Sequence, residues 1–189
     1  KFVEQKGRWV ADAGDRPACE DLLHFWAEWE PPSELVRQLA PKVPDGPRCL
    51  FRPQFPGPAK STKAANTDPF VFGDPFYCCV CQQQHRPVMK RLAPGSVILF
   101  GSHQKGAFIL DTVFVVRDSV SYNASDYAAL DVSDVYREVG LAPIYFGGPK
   151  CGPGKCVEED SYQLYRGAMH ANPVAGMFSF FPCQPASVD

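Results

Sequence analysis

Asp111 lies inside one of the most apolar runs of the chain, Ala107–Val116, AFILDTVFVV. A carboxylate placed there needs a compensating partner or a task. In an extended strand Ile109, Asp111, Val113 and Val115 would share one face, and Phe108, Leu110, Thr112, Phe114 and Val116 the other. Both faces are apolar, which marks a central strand. Arg166, in the run YQLYRG, is the cation expected to pair with Asp111. Paired, the carboxylate is structural. Lining a pocket, it would hydrogen-bond a ligand or act as a base.

Other residues offer other chemistry. His24 and Glu28 stand at i and i+4 in ACEDLLHFWAEW. On a helix that spacing gives an acid/base pair, two metal ligands or a solvated ion pair. No second histidine completes a metalloprotease pattern. Cys78-x2-Cys81 and Cys151-x4-Cys156 have the spacing of a tetrahedral zinc site, which makes zinc the cofactor to consider. Buried inert thiols, or a Cys151–Cys156 disulfide, are the alternatives. The stretch NTDPFVFG sets Asn66, Thr67 and Asp68 beside Phe70 and Phe72. It reads either as turns bonding their own backbone or as the polar rim of an aromatic pocket. Gln82, Gln83 and Gln84 carry amides suited to base edges, with Lys60, Lys63, Arg86, Lys90 and Arg91 in reach of phosphates. Phosphate-loop, dinucleotide and nucleophile-elbow motifs are absent.

These residues need elements to hold them. Ser96–Phe100 and Ala107–Val116 flank the polar Gly101–Gly106, which predicts a hairpin. Further strands are predicted at Lys1–Val10, Arg48–Arg52, Tyr162–Gly167 and Met177–Phe181, and a short strand or turn at Phe76–Gln82. In Ala18–Trp29 the residues Leu22, Phe25, Trp26 and Trp29 match a helical stripe, ended by Pro31–Pro32. A second helix is expected at Glu34–Leu39 behind Ser33, and a third at Ser133–Val139 capped by Asp131 or Ser133. Asp118–Asp126 and Asn172–Gly176 read as loop and turn. The expected fold class is α+β: a curved, mostly antiparallel sheet or small barrel, with N-terminal helices packed on it. One domain would span 1–189, helical over about 18–40, with its sheet core over about 66–183.

At 189 residues the chain can bury a core without staples. Its 19 prolines and 15 glycines favour short elements joined by ordered loops. A net charge of −2 supplies no general attraction to nucleic acid and leaves only local patches for that purpose. Neither an apolar run of spanning length nor a charged–apolar–small leader is seen, so no membrane partner is expected. The uneven spacing of the 8 cysteines points to a reducing cytoplasm.

The runs NTDPFVFGDPFYCCVCQQ, LAPGSVILFGS, FILDTVFVV, YRGA and GMFSFFPC resemble bacterial and phage nucleotide-modification-associated domains, over roughly Asn66–Cys183. LAPGSVILFGS is more loosely similar to the strand of PUA-, ASCH- and EVE-like barrels. The Cys78–Cys79–Cys81 crowding departs from those barrels. The resemblance implies a role beside enzymes that modify DNA bases, with a nucleotide or a modified base in DNA as partner; phage defence enters only with an interaction module in a defence or modification complex. Expected ligand-binding residues are Trp26, Asn66, Asp68, Phe70, Gln82, Ser102, Asp111 and Arg166. The alternatives are a small hydrolase or transferase on nucleotides, with Asp111 or Glu28 as base and His24 as acid, and a zinc-stabilised interaction module.

Overall fold

The computed structural model describes residues 1–12, 14, 18–40, 47–55, 67–79, 83, 86–143 and 161–188. Its elements are β1 (Phe2–Trp9), β2 (Cys19–Trp26), β3 (Ser33–Gln38), β4 (Cys49–Pro53), β5 (Tyr77–Cys78), β6 (Val97–Gln104), β7 (Ala107–Asn123), α1 (Asp134–Tyr136), β8 (Ser161–Gly167) and β9 (Cys183–Pro185). They form a five-stranded sheet, β3-β4-β1-β2-β9, and a four-stranded sheet, β5-β8-β7-β6. The fold is mostly β, and neither sheet closes into a barrel.

This corrects the α+β expectation. Ala18–Trp29 is no helix: β2 pairs antiparallel with β1, from Trp9↔Cys19 to Phe2↔Trp26. Leu23, Phe25, Ala27 and Trp29 are buried, while Trp26 is 41% exposed. That is period two, the strand signature. The same residues also match a helical stripe through Leu22, Phe25, Trp26 and Trp29, and pairing with β1 decides between the two. The expected helix at Glu34–Leu39 is likewise a strand, β3, antiparallel to β4. The third helix is present as α1, with Ser133 Oγ accepting from Tyr136 N–H, and it continues as a wider π turn over Arg137–Leu141.

The hairpin is longer than expected. Only Lys105 and Gly106 make its turn, both at positive φ, which two-residue hairpin turns require. Gly101–Gln104 are strand. β7 runs for 17 residues and takes up the expected loop Asp118–Asp126 as far as Asn123, pairing first with β6 and then with β8, before a 3-10 turn over Ala124–Ala129. The expected strand Met177–Phe181 is instead two isolated bridges, Val174↔Met177 and Val113↔Phe180. Here Ser179 Oγ accepts from Val115 N–H at 2.9 Å. The chain then enters β9 on β2, so the C-terminal segment ties one sheet to the other.

Two apolar cores result. One lies between the sheets and joins Val3, Leu23 and Phe25 to Phe76, Phe114, Val116 and Tyr165. The other lies on the far face of the four-stranded sheet, under α1 and the π turn, around Phe70, Tyr77, Tyr136, Leu141 and Leu164. No helix among the described residues is long and apolar enough to cross a membrane.

Candidate functional site in the inter-sheet cleft

β1, β2, the loop Val71–Phe76 and the segments Met169–Ala171 and Phe178–Cys183 enclose a cleft of about 1840 Å³. Its floor is aromatic. Phe181 stacks on Phe25 at 4.1 Å and on Phe76 at 5.9 Å between ring centroids. Phe178 meets the His170 ring edge-on at 4.9 Å. Strand alternation turns Trp9, the last residue of β1, to the same side as Val3. His170 lies three residues past the end of β8, in a tight excursion closed by the Met169↔Asn172 bridge.

Two polar atoms in this wall stand out. Trp9 Nε1 and His170 Nε2 are buried and have no hydrogen-bond partner among the described residues. Buried polar groups are normally satisfied, and leaving one unmade costs about 1–3 kcal/mol. The rim is charged in both senses: Lys6 and Arg8 face Glu20, Asp21 and Asp74, with Arg8 Nη2 2.5 Å from Asp74 Oδ2. Spacing alone selects neither Trp9 nor His170. Trp9 ends a weak strand pattern, and His170 is one of 4 histidines with nothing to single it out.

Asn66 and Gln82 lie outside the described residues, as do Cys81, Cys151 and Cys156, so the zinc expectation rests there apart from Cys78, which is buried. The other expected ligand residues are described, and none lines the cleft. Trp26 projects from the opposite face of its sheet, edge-on to Phe2 at 5.2 Å. Asp68 is buried and accepts from Cys79 N–H with both oxygens, at 3.1 and 3.2 Å. Phe70 is fully buried in the core beneath α1, and Ser102 is exposed on β6.

The Asp111–Arg166 pairing is not made. Arg166 Nε donates to Asp118 Oδ1 at 2.5 Å. Asp111 is the extra residue of a β-bulge, because Phe100 pairs with Thr112 while Gly101 pairs with Leu110. Bulges re-aim side chains, and Asp111 is 5% exposed with no hydrogen bond or ion pair among the described residues. Burial pushes its carboxyl above the ordinary range. Glu28 is raised as well, by burial first and then by the charge of Asp111.

His24 does not pair with Glu28 on a helical face. Its Nε2 lies 3.1 Å from Glu4 Oε2, its cross-strand neighbour, and Arg37 Nη2 donates to the same oxygen at 2.7 Å. Glu4 is 3% exposed, so this cluster compensates a buried charge on the outer face of the five-stranded sheet.

No protein-family model matches the chain, and neither a curated protein nor a solved structure matches it.

Proposed function

We propose that the chain is a binding module for a nucleobase-bearing ligand, held in the inter-sheet cleft. The observation that carries this is the pair of unpartnered ring groups, Trp9 Nε1 and His170 Nε2, in an otherwise largely aromatic and aliphatic wall. A nucleobase has the complementary shape: flat apolar faces, with donors and acceptors confined to its edge. The Trp9 indole donates only and would take a ring nitrogen or carbonyl. His170 Nε2 would take either role according to its tautomer.

Size and charge narrow the ligand. A cleft of about 1840 Å³ exceeds the roughly 300–1,000 Å³ of ordinary small-molecule pockets, so there is room for a base together with its sugar. The mixed rim offers no net pull on phosphate, which favours a nucleoside, or a base swung out of a strand with its phosphates outside. The resemblance of the strand motifs supports modified bases as the target and a role beside base-modifying enzymes. Calorimetric titration with a panel of plain and modified nucleosides tests the reading. At least one should bind, and Trp9→Phe and His170→Ala should each weaken it about tenfold, the equivalent of one hydrogen bond. No binding across the panel by folded protein, or binding indifferent to both substitutions, would refute it.

A further inference from the structure

We propose a second binding site, for a phosphoryl-type oxyanion, at Arg117 and Arg166 on the four-stranded sheet. It is independent of the cleft. In β7 the register slips between Val116 and Asp118, so that Val116 pairs with Gly167 and Asp118 with Arg166. Arg117 is therefore the extra residue of a second bulge. In a regular strand it would point away from Asp118, towards the opposite face. The bulge instead brings it round, and Arg117 Nε donates to Asp118 Oδ2 at 2.8 Å while Arg166 Nε takes Oδ1.

One carboxylate thus fixes two guanidinium planes. Each arginine spends its Nε–H on Asp118, and the remaining Nη–H donors of both have no protein acceptor among the described residues. Two guanidinium groups against Asp118 leave one positive charge in excess at the clamp itself, which Asp131 nearby offsets. Side-chain exposures of 33% for Arg117 and 28% for Arg166 hold them at the surface yet partly desolvated, where charge-assisted bonds are stronger than in open water. Guanidinium forks fit tetrahedral oxyanions in two-point fashion, which a lysine does not do. The phenol of Tyr77, the cross-strand partner of Arg166, feels both arginines and, in the opposite sense, Asp131. Asp131 and Asp118 are thus the negative charges an anion would meet.

The test is a titration of the arginine Nε–H resonances of the full chain with inorganic phosphate, a nucleoside 5′-monophosphate and the matching nucleoside. Phosphate and the nucleotide should shift the Arg117 and Arg166 signals, and the nucleoside should leave them unmoved. A nucleotide effect at least tenfold tighter than that of phosphate assigns the phosphoryl group to a nucleotide, and equal affinities assign it to the free anion. Arg117→Gln and Arg166→Gln should each weaken binding at least tenfold, measured well below the melting temperature, which each variant should lower slightly by removing one partner of Asp118. Signals indifferent to both phosphate and nucleotide, or affinity unaffected by Arg117→Gln, would overturn the site. Neither result bears on Trp9 or His170, so the two readings fail separately.

Discussion

Asp111→Asn is expected to stabilise the protein at neutral pH. The carboxylate is 5% exposed at the bulge opposite Gly101, makes no hydrogen bond or ion pair among the described residues, and has the N-terminal ammonium as a favourable charge that does not outweigh burial. Desolvating an unpaired carboxylate costs several kcal/mol even after relaxation. An amide of the same shape costs about 1–3 kcal/mol. With the edge of the group still touching solvent, the net gain should be on the order of 1–2 kcal/mol. The pH dependence carries the sharper signature. Burial raises the folded pKa above that of the unfolded chain, near ~3.9. Below that value both states hold the proton and there is no penalty. As pH rises through the folded pKa, the native state alone must give up its proton against burial, and stability falls. Urea unfolding followed by tryptophan fluorescence at pH 4 and pH 7.5 measures both effects. The variant should unfold at higher urea than wild type at the upper pH, and the gap should narrow at the lower. A variant less stable at pH 7.5 would mean that Asp111 has a favourable partner, and the reasoning would be wrong.

Other perturbations probe the same framework. At Gly101 an added Cβ would stand 2.2 Å from the Ile109 carbonyl oxygen and 2.6 Å from the Phe108 ring. Gly101→Ala should therefore cost about 2–3 kcal/mol in a thermal melt, and an unchanged melt would show that the bulge yields easily. Ser179→Ala removes the buried acceptor of Val115 N–H. A loss of about 1–3 kcal/mol is expected, with faster hydrogen exchange at the Val115 amide; exchange as slow as in wild type would exclude the bond. At Asp118 burial pushes the carboxyl up, but the hydrogen bonds from Arg117 and Arg166 outweigh it and hold the pKa below the ordinary value. The stability it contributes is present above the unfolded pKa and lost as pH falls through the folded one. Asp118→Asn should be destabilising at pH 6, with the deficit shrinking as pH falls through the folded pKa, and a deficit that does not shrink in acid would contradict the ion pairs.

The hairpin, β8, the strands β1 and β4 and the Ser133 cap were legible because each rests on a local pattern: alternation, turn residues or a hydroxyl before an acidic turn. β2 was misread because LLHFWAEW satisfies period two and period 3.6 at once, and only pairing with β1 separates them. Both bulges were invisible for a related reason. A bulge is a mismatch between two strands, so neither strand alone records it. That is why Asp111 looked like the partner of Arg166. Simple alternation could not anticipate that Arg117 and Arg166 would turn to the same carboxylate, Asp118. The cleft escaped notice because its walls come from residues near both ends of the chain, and only β9 pairing with β2 brings His170 and Phe181 opposite Trp9.

The proposed function stands or falls with the indole of Trp9. Its Nε1–H resonance can be followed directly in a nitrogen-correlated proton spectrum, assigned by loss in Trp9→Phe, while a nucleoside that binds is added. A hydrogen bond to the base should move this proton downfield and slow its exchange with water, leaving the indoles of Trp26 and Trp29 in place. An unmoved Trp9 signal at saturating ligand would contradict the cleft as the site.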